Sequence, residues 1–123
     1  MDRMAKIISV HEYVLKSTVD EKSFHKAIQE AERRGLFQLP GLLGYHMLKG
    51  IKGSRRGCYV GIWVYVDRQA WERLWGSPEH PKEKNDYPEN WRAWEEILSA
   101  FLTDDPDEIQ FTAYEEWTGG LTD

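Results

Sequence analysis

Cys58-Tyr59-Val60-Gly61-Ile62-Trp63-Val64-Tyr65-Val66 is the segment on which the fold turns. Its side chains alternate by kind. Cys58, Val60, Ile62, Val64 and Val66 fall on one face of an extended chain, and Tyr59, Gly61, Trp63 and Tyr65 on the other. A period of two in β-branched and aromatic residues predicts a strand over 58–66. Neither face is polar, so both are fit to be buried. Gly61, set between two aromatic positions, marks a place where another group approaches the sheet closely.

Upstream, Gly50, Gly53 and Gly57 punctuate a short basic link holding Lys49, Lys52, Arg55 and Arg56, and before it 42–49 reads as a second extended segment entered through the turn signal Pro40-Gly41. The two make a hairpin. Its basic link is a solvated turn or, in a functional reading, a site for an anionic partner. It joins two strands with no helix after it, so its glycines form no phosphate-binding loop. Further back, Phe24, Ala27, Ile28 and Ala31 recur at helical spacing, with Ser17, Thr18 and Asp20 available as caps, which predicts a helix over 21–34. The β-branched run at 6–16 predicts another strand.

Downstream, Asp67 caps a short helix through Gln69, Trp71 and Leu74 that closes at Gly76, and a loop with Pro78 and Pro81 follows. Pro88 suits the first position of a longer helix, whose apolar stripe is Trp91, Trp94, Ile97, Leu98, Phe101 and Leu102, with its end near Thr103. After a turn at 104–107, Ile109, Phe111 and Ala113 alternate with Gln110, Thr112 and Tyr114 in a last strand reaching about Trp117, and the tail beyond Gly119 is expected to fray. The order strand, helix, strand, strand, helix, strand is the ferredoxin-like βαββαβ pattern of an α+β domain. Right-handed crossovers put the helices on one face of a four-stranded antiparallel sheet. The other face is left bare, and an apolar patch of that size calls for a partner, most economically a second copy of the chain.

Composition narrows the function. A chain of 123 residues, 41% hydrophobic and 13% aromatic, is one folded domain over 1–123 with an ordered core at about 6–117. A net charge of -5 argues against nucleic acid as a partner. No apolar run approaches the roughly 20 residues of a membrane span, so no membrane partner is expected. The start of the chain carries no secretory leader, which makes cytoplasmic the expected location. Cys58 is the lone cysteine, so neither an intrachain disulfide nor a thiolate metal cage is available. His11, His25, His46 and His80 lack metal-ligand spacing, so no metal is expected. Six Trp and six Tyr exceed what one small core usually absorbs, and some are expected to meet a ligand or a second subunit.

Three stretches carry a resemblance: Pro40-Gly41-Leu42-Leu43-Gly44-Tyr45; Val64-Tyr65-Val66-Asp67-Arg68-Gln69-Ala70-Trp71; and Trp75-Gly76-Ser77-Pro78-Glu79-His80. Together they resemble the antibiotic biosynthesis monooxygenase-like family of the dimeric α/β-barrel superfamily. The resemblance implies a homodimer built as a dimeric α/β barrel. It implies a cofactor-independent oxidoreductase acting on a small aromatic or polyphenolic compound. Where haem-degrading members of that superfamily carry a Trp and a His, this chain has Leu74 and Lys84, and where they carry an Asn on the first strand it has His11 or Glu12. Haem binding or degradation is therefore not expected, and nothing else calls for a cofactor. Trp75 and His80 lie near those positions and would need a rebuilt loop to replace them.

Within this reading the candidate bases are His11 and His46, either of which burial would tune for proton transfer. Each is also readable as a hydrogen-bonded polar residue at a subunit interface, the plainer reading of the two. An aromatic-walled pocket would draw on Tyr13, Tyr59, Trp63, Tyr65 and Tyr114, with Trp75 as a lid, whereas the structural alternative makes the same rings dimer core. Trp71, Trp91 and Trp94 read as helix anchors, and Cys58 as a small buried hydrophobe. The alternative function is a non-catalytic dimer that binds a ligand or is purely structural.

Overall fold

In the computed structural model, which describes residues 5–120, the chain runs β1 (Ile7–Tyr13), α1 (Glu21–Arg33), β2 (Leu42–Lys49), β3 (Tyr59–Tyr65), α2 (Arg68–Trp75), α3 (Glu89–Ser99) and β4 (Phe111–Glu115). The strands form one antiparallel sheet in the order β2-β3-β1-β4, the ferredoxin-like arrangement read from the sequence. The fraying expected after Gly119 falls, from residue 121 onward, outside the described residues.

Local chemistry sets the boundaries. Asp20 caps α1 by accepting from the Ser23 amide, and Asp67 caps α2 by accepting from the Ala70 amide. Gly76 closes α2 with φ +84°, a backbone region that favours glycine. Pro88 stands one residue earlier than expected, as the N-cap of α3 rather than its first residue. That helix also stops at Ser99 instead of near Thr103. Its last turn is pulled away because the Thr103 amide donates to the Val14 carbonyl and Leu102 bridges to Leu15, tying the chain to the end of β1. β1 and β4 are shorter than read, because their outer residues have no continuous partner strand.

The sheet resolves the ambiguity of the 58–66 segment. Trp63 and Tyr65 face the helices and are 0% and 1% exposed, in one core with Tyr13, Phe24, Phe37, Trp91, Trp94 and Leu98. The aliphatic set faces the other way. Through the register, Val60, Ile62 and Val64 share the helix-free face with Ile8 and Val10 of β1, His46 and Leu48 of β2, and Tyr114 of β4. None of these joins the core cluster. Gly61 has its predicted consequence: a Cβ there would lie 2.8 Å from the Tyr13 hydroxyl, so the missing side chain makes room for a neighbouring ring rather than for a ligand.

Candidate active site

Between the helix-side face of the sheet and the α2–α3 region lies a cavity of about 470 Å³. Ser9 and His11 on β1, with Tyr65 on β3, line it from the sheet. α2 supplies Trp71 and Trp75, the segment between the helices supplies Tyr87, α3 supplies Trp91 and Glu95, and Ile109 and Phe111 border it from the β4 side. Gly76 pairs with Pro81 in an isolated bridge, which folds the loop after α2 back on itself and holds Trp75 against Tyr87 and Trp91 at ring distances of 5.2 and 5.3 Å.

Among the polar groups His11 is the one ringed by aromatic side chains. Residues two apart on a strand share a face, so Ser9 and His11 lie together, with Ser9 Oγ 3.0 Å from His11 Nε2. Aromatic rings enclose the imidazole: Trp91 at 5.5 Å and 90°, Phe111 at 5.5 Å and Trp63 at 6.1 Å. Nδ1 is buried with no partner among the described residues. Burial without a counter-charge pushes the His11 pKa down to about 4, so at neutral pH the imidazole is uncharged. Burial acts on its neighbours as well, pushing Tyr65 far above the ordinary phenol value and raising Glu95, against the pull of Lys84.

The other residues named from sequence scatter. His46 is exposed on edge strand β2, beside a separate groove of about 510 Å³ between that strand and α1. Tyr13 is sealed in the core, with its hydroxyl lacking a partner among the described residues. Tyr59 packs on Phe24 and donates to Glu21 at 2.5 Å, away from the cavity. Trp63 backs His11 from the core without lining the space, and Tyr114 is 55% exposed on the helix-free face. Of the named set, the structure gathers His11, Tyr65 and Trp75 around one cavity. Ser9, Trp71, Tyr87, Trp91, Glu95 and Phe111 join them unannounced. Glu95 left a trace in the sequence: it sits four residues after Trp91 and three before Leu98, on the stripe that α3 buries.

The low His11 pKa has a measurable result. The unfolded chain, with an ordinary His value near 6.5, binds more protons than the folded one between that value and about 4. Stability is therefore fully present above pH 6.5 and lost as the pH falls toward 4, by about 3 kcal/mol at about 1.36 kcal/mol per pH unit. Glu95, with its raised pKa, works in the opposite sense, contributing stability at low pH that is lost as pH rises through its folded value. Denaturant melts of the unmodified chain and of His11→Gln between pH 7 and 4.5 check this: the substituted chain should show the shallower loss.

Among the described residues no group of three His, Cys, Asp or Glu comes together as a metal site, and no helix is long and apolar enough to cross a membrane. Leu74 is buried in the core, and Lys84 is drawn to Asp107 at 3.4 Å. Neither offers haem an imidazole or an indole. Adding haem to the purified chain should leave the Soret band of free haem unchanged, and stoichiometric binding lost in His80→Ala would overturn that.

No protein-family model matches the chain, and no curated protein sequence does. Solved structures do match over nearly the whole length. SnoaB, a cofactor-independent oxygenase from Streptomyces nogalater, is 16% identical, with 96% of each chain covered and a TM-score of 0.56. A provisionally assigned antibiotic biosynthesis monooxygenase from Bordetella bronchiseptica is 10% identical, with 93% of this chain and 99% of that one covered and a TM-score of 0.63. A dimeric ferredoxin-like protein of unknown function from Thermobifida fusca is 13% identical, with 93% of each chain covered and a TM-score of 0.59. The chain has the antibiotic biosynthesis monooxygenase-like fold.

Proposed function

We propose that this protein is a cytoplasmic homodimer that holds a small aromatic, polyphenol-like molecule in the cavity and acts on it as a cofactor-independent monooxygenase. The observation that carries the reading is His11, an uncharged imidazole paired with Ser9 at the sheet wall of a cavity rich in aromatic rings. The likeness to SnoaB supports it at the level of fold.

The chemistry needs little machinery. A substrate with an acidic methylene between aromatic rings gives a proton to His11, and the walls exclude water from the resulting carbanion. The carbanion then reduces dioxygen. The methylene carbon loses two hydrogens and becomes a carbonyl with one oxygen atom, and the second oxygen leaves as water with those hydrogens, so the substrate carbon supplies all four electrons that dioxygen takes up. A base with a pKa near 4 is weak toward such an acid. The negative charge formed beside it raises the imidazolium pKa within the complex and favours transfer.

The helix-free face supports the dimer. Ile8, Val10, Val60, Ile62 and Val64 form an apolar centre there that no element among the described residues covers. A standard interface buries about 1,600 Å² in total, which a sheet face of four strands supplies. A second reading, a dimer that binds its ligand without chemistry, draws on the same low basicity of His11.

An oxygen electrode separates the two. With 1,8-dihydroxyanthrone as probe, quenching of the cavity tryptophans together with protein-dependent oxygen uptake supports the monooxygenase. Quenching without uptake leaves the binding protein, and the absence of both removes the cavity as a ligand site.

A further inference from the structure

The cavity is lopsided in charge. No lysine or arginine lines it, while two carboxyls, Glu95 and Asp107, do. Asp107 is met by the Lys84 ammonium at 3.4 Å. Glu95 feels the same Lys84 charge but makes no ion pair with it. It is 8% exposed, and its Oε1 is buried with no hydrogen-bond partner among the described residues. A carboxyl desolvated in this way carries an uncompensated cost that a cationic or donor group arriving with a ligand would remove.

The rings around it supply the second half of the argument. Trp75 meets Tyr87 at an interplanar angle of 82° and Trp91 at 69°, so these rings stand as walls meeting at corners rather than as a stack. Tyr65, Trp71 and Phe111 extend the enclosure. Several π faces set at steep angles around one acid are how proteins bind organic cations, because each ring face is negative and the carboxylate fixes the direction of approach.

Resting on the reading that this cavity holds an aromatic ligand, we infer that the ligand carries a protonated amine, which pairs with Glu95 on the helix side while its hydroxyl meets Ser9 and His11 on the sheet side. Glu95 is then the specificity residue of the site. Carboxylate and phosphate ligands of the same shape are rejected, since they would meet two carboxyls and no cationic side chain among the lining residues. Burial raises the pKa of Glu95 and Lys84 opposes the rise, so the incoming ammonium favours the ionised form that pairs with it.

The test uses three probes on one ring system: 2-naphthylmethylammonium, 2-naphthol and 2-naphthoate, titrated by calorimetry at pH 7 into the full chain and into Glu95→Gln. In the unmodified chain the ammonium should bind about tenfold tighter than the naphthol, and the naphthoate should not bind measurably. In Glu95→Gln the ammonium should fall to within about threefold of the naphthol, whose own affinity holds. Naphthol binding as tightly as the ammonium, or a Glu95→Gln chain in which both lose affinity equally, overturns the inference and leaves the cavity as an aromatic site. Failure of all three to bind removes the cavity itself. Should Glu95→Gln prove unfolded by circular dichroism, the order of the three probes on the unmodified chain decides.

Discussion

A Val64→Asp chain is expected to run as a monomer where the unmodified chain runs as a dimer, with its cavity intact. Val64 lies on the helix-free face of β3, an inner strand of the sheet, opposite Ile8 on one side and Gly44 on the other. In an isolated protomer an Asp there stays hydrated and costs the fold little. In a face-to-face dimer the same carboxylate is stripped of water with no cation opposite it, which costs about 3–5 kcal/mol and weakens association by about 10² to 10³ or more. Trp63, its neighbour in sequence, gives the opposite result. It is 0% exposed among Phe37, Tyr45 and Trp91, so Trp63→Ala should lower folding stability by about 3 to 5 kcal/mol whatever happens to assembly. Light scattering at micromolar concentration reads the first effect and denaturant melts the second. An unmodified chain that scatters as a monomer would refute the dimer outright.

That contrast shows what the sequence contained and what it withheld. The alternation in 58–66 specified a strand apolar on both faces, and the capping residues Asp20 and Asp67 specified where helices begin, so the element order was legible. Which face met the helices was not, since aliphatic and aromatic sets are both apolar. It was decided between elements: Gly61 leaves a gap that the Tyr13 ring fills, and Trp63 finds Trp91 and Phe37 across the core. Those fits involve residues far apart in the chain.

The candidate site was legible to a smaller degree, for a related reason. Strand periodicity tells which residues share a face but neither the register between strands nor the position along them. Tyr114 reads as an aromatic wall until its pairing with Ile8 places it on the helix-free side. Tyr59 shares the helix-side face with Tyr65, yet six residues of strand carry it to the far end of the sheet, against α1. Trp71 and Trp91 read as helix anchors because a helical stripe looks the same whether it packs on a sheet or borders a space above one. Ser9 carried no signal of its own beyond its spacing from His11. Glu95 did, as an acid on a buried stripe, a signal diluted by Glu89 and Glu96, the two other acids of α3, which are solvated.

Replacing His11 with alanine should lower the rate of oxygen uptake with a cognate phenolic substrate by about 10² to 10⁴ while weakening ligand affinity by at most about tenfold, the share of one lost hydrogen bond, as expected when a proton acceptor is lost and the walls remain. Trp75→Ala should do the reverse, weakening binding by opening the wall that also touches Tyr87 and Trp91, with a smaller effect on the rate at saturation. The pH profile adds a signature that packing alone does not produce. With a free-protein pKa of about 4, His11 is ready to accept a proton throughout the neutral range, so for a phenolic substrate without an amine, whose binding does not draw on ionised Glu95, kcat/KM should hold flat from pH 8 to about 5 and fall only as the pH nears 4. An unperturbed histidine would begin to lose activity near 6.5. The residual rate of the His11→Ala chain should lack the acid limb belonging to this group, over the pH range in which that chain stays folded. A His11→Ala protein that keeps full oxygen uptake would remove His11 from the chemistry. A wild-type acid limb centred near 6.5 would instead mean that the imidazole is far better hydrated than the enclosure by Trp91, Phe111 and Trp63 allows.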